Sequence, residues 1–163
     1  MGIAREKALE IQQEHRDKEA AEEKSVRLSM ILTSEAPHLW ERLQSEVETQ
    51  VKEFSESLPE AAQLRAFRLN SNNLTAQTPA FPIIKMEILR TLDSHIQCTV
   101  TETRSGLAEP VVRTTPPIDY GLNHNEESCF VLGEKYFSPE ELAERLMGQV
   151  YEFFRPARNA TAV

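Results

Sequence analysis

No glycine occurs between Gly2 and Gly106, although glycine is the residue that sharp turns and left-handed backbone positions most often require. Two sequence patterns divide this region. Residues 1–58 consist mostly of helix-forming residues, whereas residues 64–137 are rich in β-branched residues, threonine and proline. Helices and strands are therefore segregated along the chain rather than alternating, which predicts an α+β fold.

The length and charge of the chain restrict its class. A chain of 163 residues is the size of one ordinary domain. Residues 1–60 carry 8 Lys or Arg against 14 Asp or Glu, and the whole chain has a net charge of −8. Because nucleic acids require clustered cations, this balance predicts that the protein does not bind nucleic acid.

The first residues lack the apolar core of a signal peptide, and no window approaches the ~18 apolar residues of a membrane helix. We therefore expect a cytoplasmic protein without a membrane segment. Cys98 and Cys129 form no CxxC pair, so the sequence predicts neither a disulfide framework nor a zinc site, and no cofactor is expected.

The N-terminal pattern predicts two helices. Residues 1–33 are mostly polar helix formers and predict an extended polar helical arm. The segment 33–37 then resembles a stop and restart, because Ser or Thr can cap a new helix and proline is tolerated in its first turn. The second helix, residues 34–58, carries an apolar stripe that predicts packing on the protein's own sheet, with self-association as an alternative. Its members are Trp40, Leu43, Val47, Val51, Phe54 and Leu58.

Beyond Pro59 the apolar period changes to two and predicts an antiparallel meander of five or six strands. Two neighbouring strands share one buried face and one threonine-rich wet face. The apolar residues of the first are Ile84, Met86 and Ile88, and those of the second are Ile96, Cys98 and Val100. A later strand, residues 128–132, is apolar on both sides, which predicts a helix covering each face of the sheet.

The last predicted element is an amphipathic helix packed on the sheet. Ser138, Pro139 and Glu141 form a complete helix-start pattern, with Phe137 and Leu142 as a hydrophobic staple. The sequence thus predicts a single α+β domain over residues 34–155, preceded by the arm and followed by a loose tail, residues 156–163.

Residues with catalytic potential are few. No nucleotide-binding, zinc-protease or nucleophile-elbow motif is present. His124, beside Glu126 and Glu127, and Tyr120 are the only catalytic candidates, and a solvated turn is the favoured interpretation of His124. Tyr120 could also bind an anion together with Arg104 and Arg113.

Three functional hypotheses follow. The first is a non-enzymatic interaction or assembly protein whose acidic N-terminal helical region forms a homodimer or binds another protein. Its candidate contact residues are Ile11, Val26, Leu28, Ile31 and Trp40. The second is a small-ligand binder or enzyme with a pocket between a curved sheet and the C-terminal helix. The third, an acidic partner resembling an antitoxin or immunity protein, rests on net charge alone.

Overall fold

A computed structural model describes residues 2–91, 95–106 and 109–155; the predicted tail, residues 156–163, lies outside them. The chain begins with helix α1, Gly2–Glu56, followed by a 3₁₀ turn, Glu60–Ala62. The strands are β1 Arg65–Asn70, β2 Asn73–Gln77, β3 Ile83–Arg90, β4 His95–Thr103, β5 Val111–Thr114, β6 Ile118–Leu122, β7 Ser128–Leu132 and β8 Lys135–Phe137. Helix α2, Pro139–Phe154, follows them.

The N-terminal region is one helix of 55 residues, so the prediction of two helices was wrong in number. Pro37 lies inside α1, where it removes the N–H that would bond to the Thr33 carbonyl. Both residues are exposed, so water can reach the freed carbonyl. Leu39 and Trp40 are buried directly after the proline, and their packing holds the helix against the core on that side.

Over the described residues the sheet has eight strands rather than the predicted five or six, and every pairing among them is antiparallel. The spatial order is β1-β2-β3-β4-β6-β7-β8, and β5 also pairs with β4. The count differs because β5 has four residues and β8 three, which is too short to show an alternating pattern.

Both helices lie on the same face of the sheet, so the prediction of one helix on each face was wrong. They pack against each other in parallel: Arg42 pairs with Glu140 at the start of α2, at 2.7 Å, and the Phe54 ring lies 5.0 Å from that of Phe154 at its end. Burial alternates along β3 and β4, and only one face of these strands is covered by the helices.

The core lies between the two helices and the covered face of the sheet. The predicted α1 stripe contributes Leu43, Val47 and Val51, and the predicted strand residues Met86 and Cys98 lie opposite them. The other face of the sheet, here named the open face, carries the predicted polar and threonine-rich surface. Exposed apolar side chains also lie there, among them Phe67, Leu89 and Val112.

Helix α2 begins as the sequence predicts. The Ser138 side chain accepts a hydrogen bond from the Glu141 N–H, and the Glu141 carboxylate accepts one from the Ser138 N–H, with Pro139 at the first helical position. The buried residues of α2 extend along one side of the helix from Pro139 to Val150. Within the described residues, no helix is both long and apolar enough to cross a membrane.

Candidate functional site

A cavity of about 660 Å³ lies where α1 passes the end of the sheet. Helix α1 supplies one wall, and strands β3, β4 and β6 with the β1–β2 turn supply the other. We call it the Arg90 cavity; it is lined by Leu32, Thr33, Ala36, Pro37, Asn72, Arg90, Thr91, His95, Asp119 and Tyr120.

Arg90, the last residue of β3, is held rigidly in this cavity. Its Nε and Nη2 atoms donate to the Asn72 Oδ1 at 3.0 and 2.9 Å, and its guanidinium carbon lies 5.4 Å from the centre of the Trp40 ring. Among the ion pairs of the described residues, none involves Arg90. The cation is therefore oriented by a neutral amide and a ring, and no carboxylate of the described residues pairs with it.

Tyr120 extends from β6 beside Arg90, and its ring packs 5.4 Å from that of Phe130. Its hydroxyl oxygen is buried and has no partner at ordinary hydrogen-bond geometry among the described residues, although the Arg90 guanidinium lies near enough to share a weak hydrogen bond with it. Burial raises the pKa of Tyr120, and the Arg90 charge together with this weak hydrogen bond opposes that rise only in part. A hydroxyl of this kind is costly to leave unpaired, which marks a position where a ligand atom or water can bind.

His95 and Asp119 lie at the rim of the cavity, and because they alternate with the buried Ile96 and Ile118, their side chains lie towards the open face. They face each other across the β4–β6 pairing, and the His95 Nδ1 contacts the Asp119 carboxylate. Both side chains are about half exposed, at 48% and 53%. The carboxylate fixes the ring orientation and favours a proton on Nδ1.

Of the two catalytic candidates from the sequence, only Tyr120 lies in the Arg90 cavity. The His124 ring packs edge-on against Tyr136, with 5.6 Å between ring centres. Glu126, predicted as a neighbour that could orient His124, instead lies 3.7 Å from Lys24 and 3.6 Å from Arg27 of α1.

Arg104 and Arg113, which the sequence associated with Tyr120, lie elsewhere. Arg104 Nε bonds to the Glu102 carboxylate at 2.8 Å, and the Arg113 guanidinium lies 5.5 Å from the centre of the Phe153 ring. Arg90 is the cation that sequence reasoning missed. It is in phase with Met86 and Ile88 on the covered face of β3, and an arginine in phase with buried residues was the available signal.

A second, larger cavity of about 720 Å³ lies at the opposite end of the sheet. Its wall is mainly apolar and includes Phe81, Ile84 and Phe153. Its buried carboxylate, Glu102, is already paired with Arg104. The smaller Arg90 cavity is therefore the better candidate site, because its polar groups are incompletely paired.

Both cysteines are free and buried. Burial raises the pKa of Cys98 to about 12, and burial together with the Glu127 charge raises that of Cys129. A thiol with a raised pKa forms little of the reactive thiolate at neutral pH. In the part of the chain that the structure describes, no three His, Cys, Asp or Glu side chains gather as metal ligands would.

The candidate partner-binding residues occupy different environments. Ile11 and Val26 are 52% and 59% exposed, whereas Leu28 and Ile31 are half-buried. Trp40 is 3% exposed, and its Nε1 donates to the Ser71 carbonyl at 2.8 Å. Trp40 therefore belongs to the core, and the accessible candidates lie on the arm.

Comparison of the chain with protein-family models, with curated proteins and with solved structures found no match. The arm and the Arg90 cavity therefore have to be interpreted from their own chemistry.

Proposed function

We propose that this protein is a non-enzymatic interaction or assembly protein, and that the projecting first half of α1 joins two copies of the chain. One observation carries the proposal: every residue from Gly2 to Arg27 is exposed. Only near the end of this segment do Lys24 and Arg27 reach the body of the protein, through weak ion pairs with Glu126. At 1.5 Å per residue the exposed segment is about 40 Å long.

A free helix with this composition is only marginally stable in water. Most helical stability in proteins comes from burying an apolar side, and this segment buries none against its own sheet. It nevertheless exposes apolar side chains that a partner would cover. They are Ile3, Leu9, Ile11 and Val26, with Met30 just beyond the segment, and all are between 52% and 76% exposed.

A second copy is the partner that the charge pattern favours. Within the N-terminal region the excess of negative charge lies in residues 34–60, whereas residues 1–33 carry six Lys or Arg and seven Asp or Glu. Two such arms can lie side by side without net repulsion, because each offers both signs to the other. Val26 and Met30, one helical turn apart, provide an apolar contact near the base of the arm.

The test is light scattering of the full chain over a concentration series, alongside a chain lacking residues 1–33 and the full-length variant Val26→Glu. The matched control is Val112→Glu, because Val112 is 57% exposed on the open face and Val26 is 59% exposed on the arm. We expect a dimer for the full chain and for Val112→Glu, and a monomer for the truncated chain and for Val26→Glu.

Two results would oppose the proposal. A full chain that remains monomeric at all concentrations would remove self-association. A dimer that survives removal of residues 1–33 but dissociates on Val112→Glu would transfer the contact to the open face of the sheet.

A further inference from the structure

We infer that the Arg90 cavity binds a small monoanionic carboxylate, with Arg90 and Tyr120 holding its oxygens. This site is separate from the exposed segment proposed to join two copies, so either conclusion can fail without the other. Three observations support it: a guanidinium that forms no ion pair within the described residues, a buried hydroxyl beside it, and the open cavity next to both.

The geometry around Arg90 leaves part of its hydrogen-bonding capacity unused. Asn72 Oδ1 accepts from Nε and Nη2, so the nearby Tyr120 hydroxyl is the only other partner that the described residues offer to the three remaining N–H groups of Nη1 and Nη2. The Trp40 ring beneath the guanidinium and the Asn72 side chain fix the direction of this group. A fixed guanidinium with free donors is suited to binding a carboxylate.

Tyr120 adds a second donor on the same side of the cavity. The buried hydroxyl lies close enough to Arg90 for the cation to lower its pKa against the effect of burial. A carboxylate oxygen bound to Arg90 would accept a hydrogen bond from the Tyr120 O–H, which is the one buried hydroxyl of the described residues without a partner at ordinary hydrogen-bond geometry.

The remaining lining residues limit the ligand class. Among the described residues of the cavity lining, Arg90 is the one Lys or Arg, so the site can balance a single negative charge. A monoanionic carboxylate is therefore favoured over phosphate, which carries up to two charges at neutral pH. Leu32, Ala36 and Pro37 form an apolar wall on α1 that suits a short hydrocarbon group.

The experiment is a titration of the full chain with propionate, followed through the backbone amide shifts of labelled protein. Propionamide, a neutral molecule of nearly the same shape, is the matched ligand control, and inorganic phosphate is the competing anion. We expect propionate to bind with a dissociation constant of about 1 mM, as suits so small a ligand. The shifts should centre on Asn72, Arg90 and Tyr120, and propionamide should bind at least tenfold more weakly.

Two variants assign the donors. Arg90→Gln should abolish propionate binding, and Tyr120→Phe should weaken it about tenfold. Tyr136→Phe makes the same chemical change outside the cavity and should leave binding unchanged. If Arg90→Gln unfolds the protein, as circular dichroism would show, Tyr120→Phe decides the question, because it removes one oxygen and leaves the ring in place.

Three outcomes overturn the inference. Equal affinities for propionate and propionamide would show that charge is not recognised. Tighter binding of phosphate would make the ligand class wrong. Unchanged propionate binding in folded Tyr120→Phe would place the ligand outside the Arg90 cavity.

Discussion

The Ser55 hydroxyl joins the end of α1 to the start of the sheet, and removing it tests how far the fold depends on this contact. Ser55 Oγ accepts from the Leu64 N–H at 2.9 Å and donates to the Leu64 carbonyl at 3.0 Å. Ser55 is 7% exposed and Leu64 3%, so water has little access to either backbone group. Ser55→Ala therefore leaves two buried polar groups unpaired.

The size of the effect follows from these contacts. An unpaired buried backbone group costs about 1–3 kcal/mol, so two give about 2–6 kcal/mol. Alanine is a better helix former than serine by roughly 0.5 kcal/mol, which offsets part of the loss. We expect Ser55→Ala to lower the free energy of unfolding by about 2–5 kcal/mol. With a urea dependence of about 2 kcal/mol per molar, the midpoint falls by about 1–2.5 M.

The assay is urea unfolding followed by fluorescence of Trp40, which is the one tryptophan of the chain and is buried in the core. Ser45→Ala is the matched control, because Ser45 lies exposed on the same helix and its hydroxyl reaches only the Glu41 carboxylate, at 3.4 Å. Both substitutions gain the same helix propensity, so the difference between the free energies of unfolding of the two variants isolates the contribution of the Leu64 hydrogen bonds. A difference below about 0.5 kcal/mol would refute the reasoning.

Three further predictions concern stability. A Cβ on Gly121 would lie 2.4 Å from the Val131 Cγ2, so Gly121→Ala should cost about 1–3 kcal/mol in urea unfolding, and adding Val131→Ala should restore part of that loss. Burial raises the pKa of Cys98 from 9.0 to about 12, so the unfolded chain loses the thiol proton at a lower pH than the folded protein does. The free energy of unfolding is therefore unaffected by this thiol below pH 9, and between pH 9 and pH 12 it falls by at most about 1.4 kcal/mol per pH unit. Unfolding of Cys98→Val at pH 8–11 should therefore show a flatter alkaline decline; an unchanged slope would contradict this. Ser138→Ala should cost about 1 kcal/mol and Ser138→Thr much less, as thermal unfolding can measure.

The strongly periodic parts of the fold could be predicted from the sequence, whereas the features that depend on contacts between distant residues could not. The cap at Ser138 and the alternation around Met86 depend on neighbours a few residues away, so local patterns suffice. The continuity of α1 through Pro37 depends on packing of Leu39 and Trp40 against distant strands, which overrides the local stop signal. The placement of both helices on one face of the sheet likewise depends on contacts between residues far apart in the sequence.

The candidate site shows the same limit. Tyr120 was identified as a polar aromatic residue in a strand, but its neighbour Arg90 is thirty positions earlier and reaches it only through the order of β3, β4 and β6 in the sheet. The contact between His95 and Asp119 likewise depends on the pairing of β4 with β6. An arginine in phase with buried residues was visible in the sequence, but its partners were not.

The continuity of α1 determines the direction of the exposed segment. One hydrogen-bonded helix contains both the exposed N-terminal segment and the residues buried from Leu39 to Val51, so no loop separates the two parts. The sheet therefore sets the angle at which the segment leaves the protein. In a dimer joined through this segment, the two sheets would be held apart at a fixed distance, as by a stiff spacer, instead of moving independently on flexible tethers.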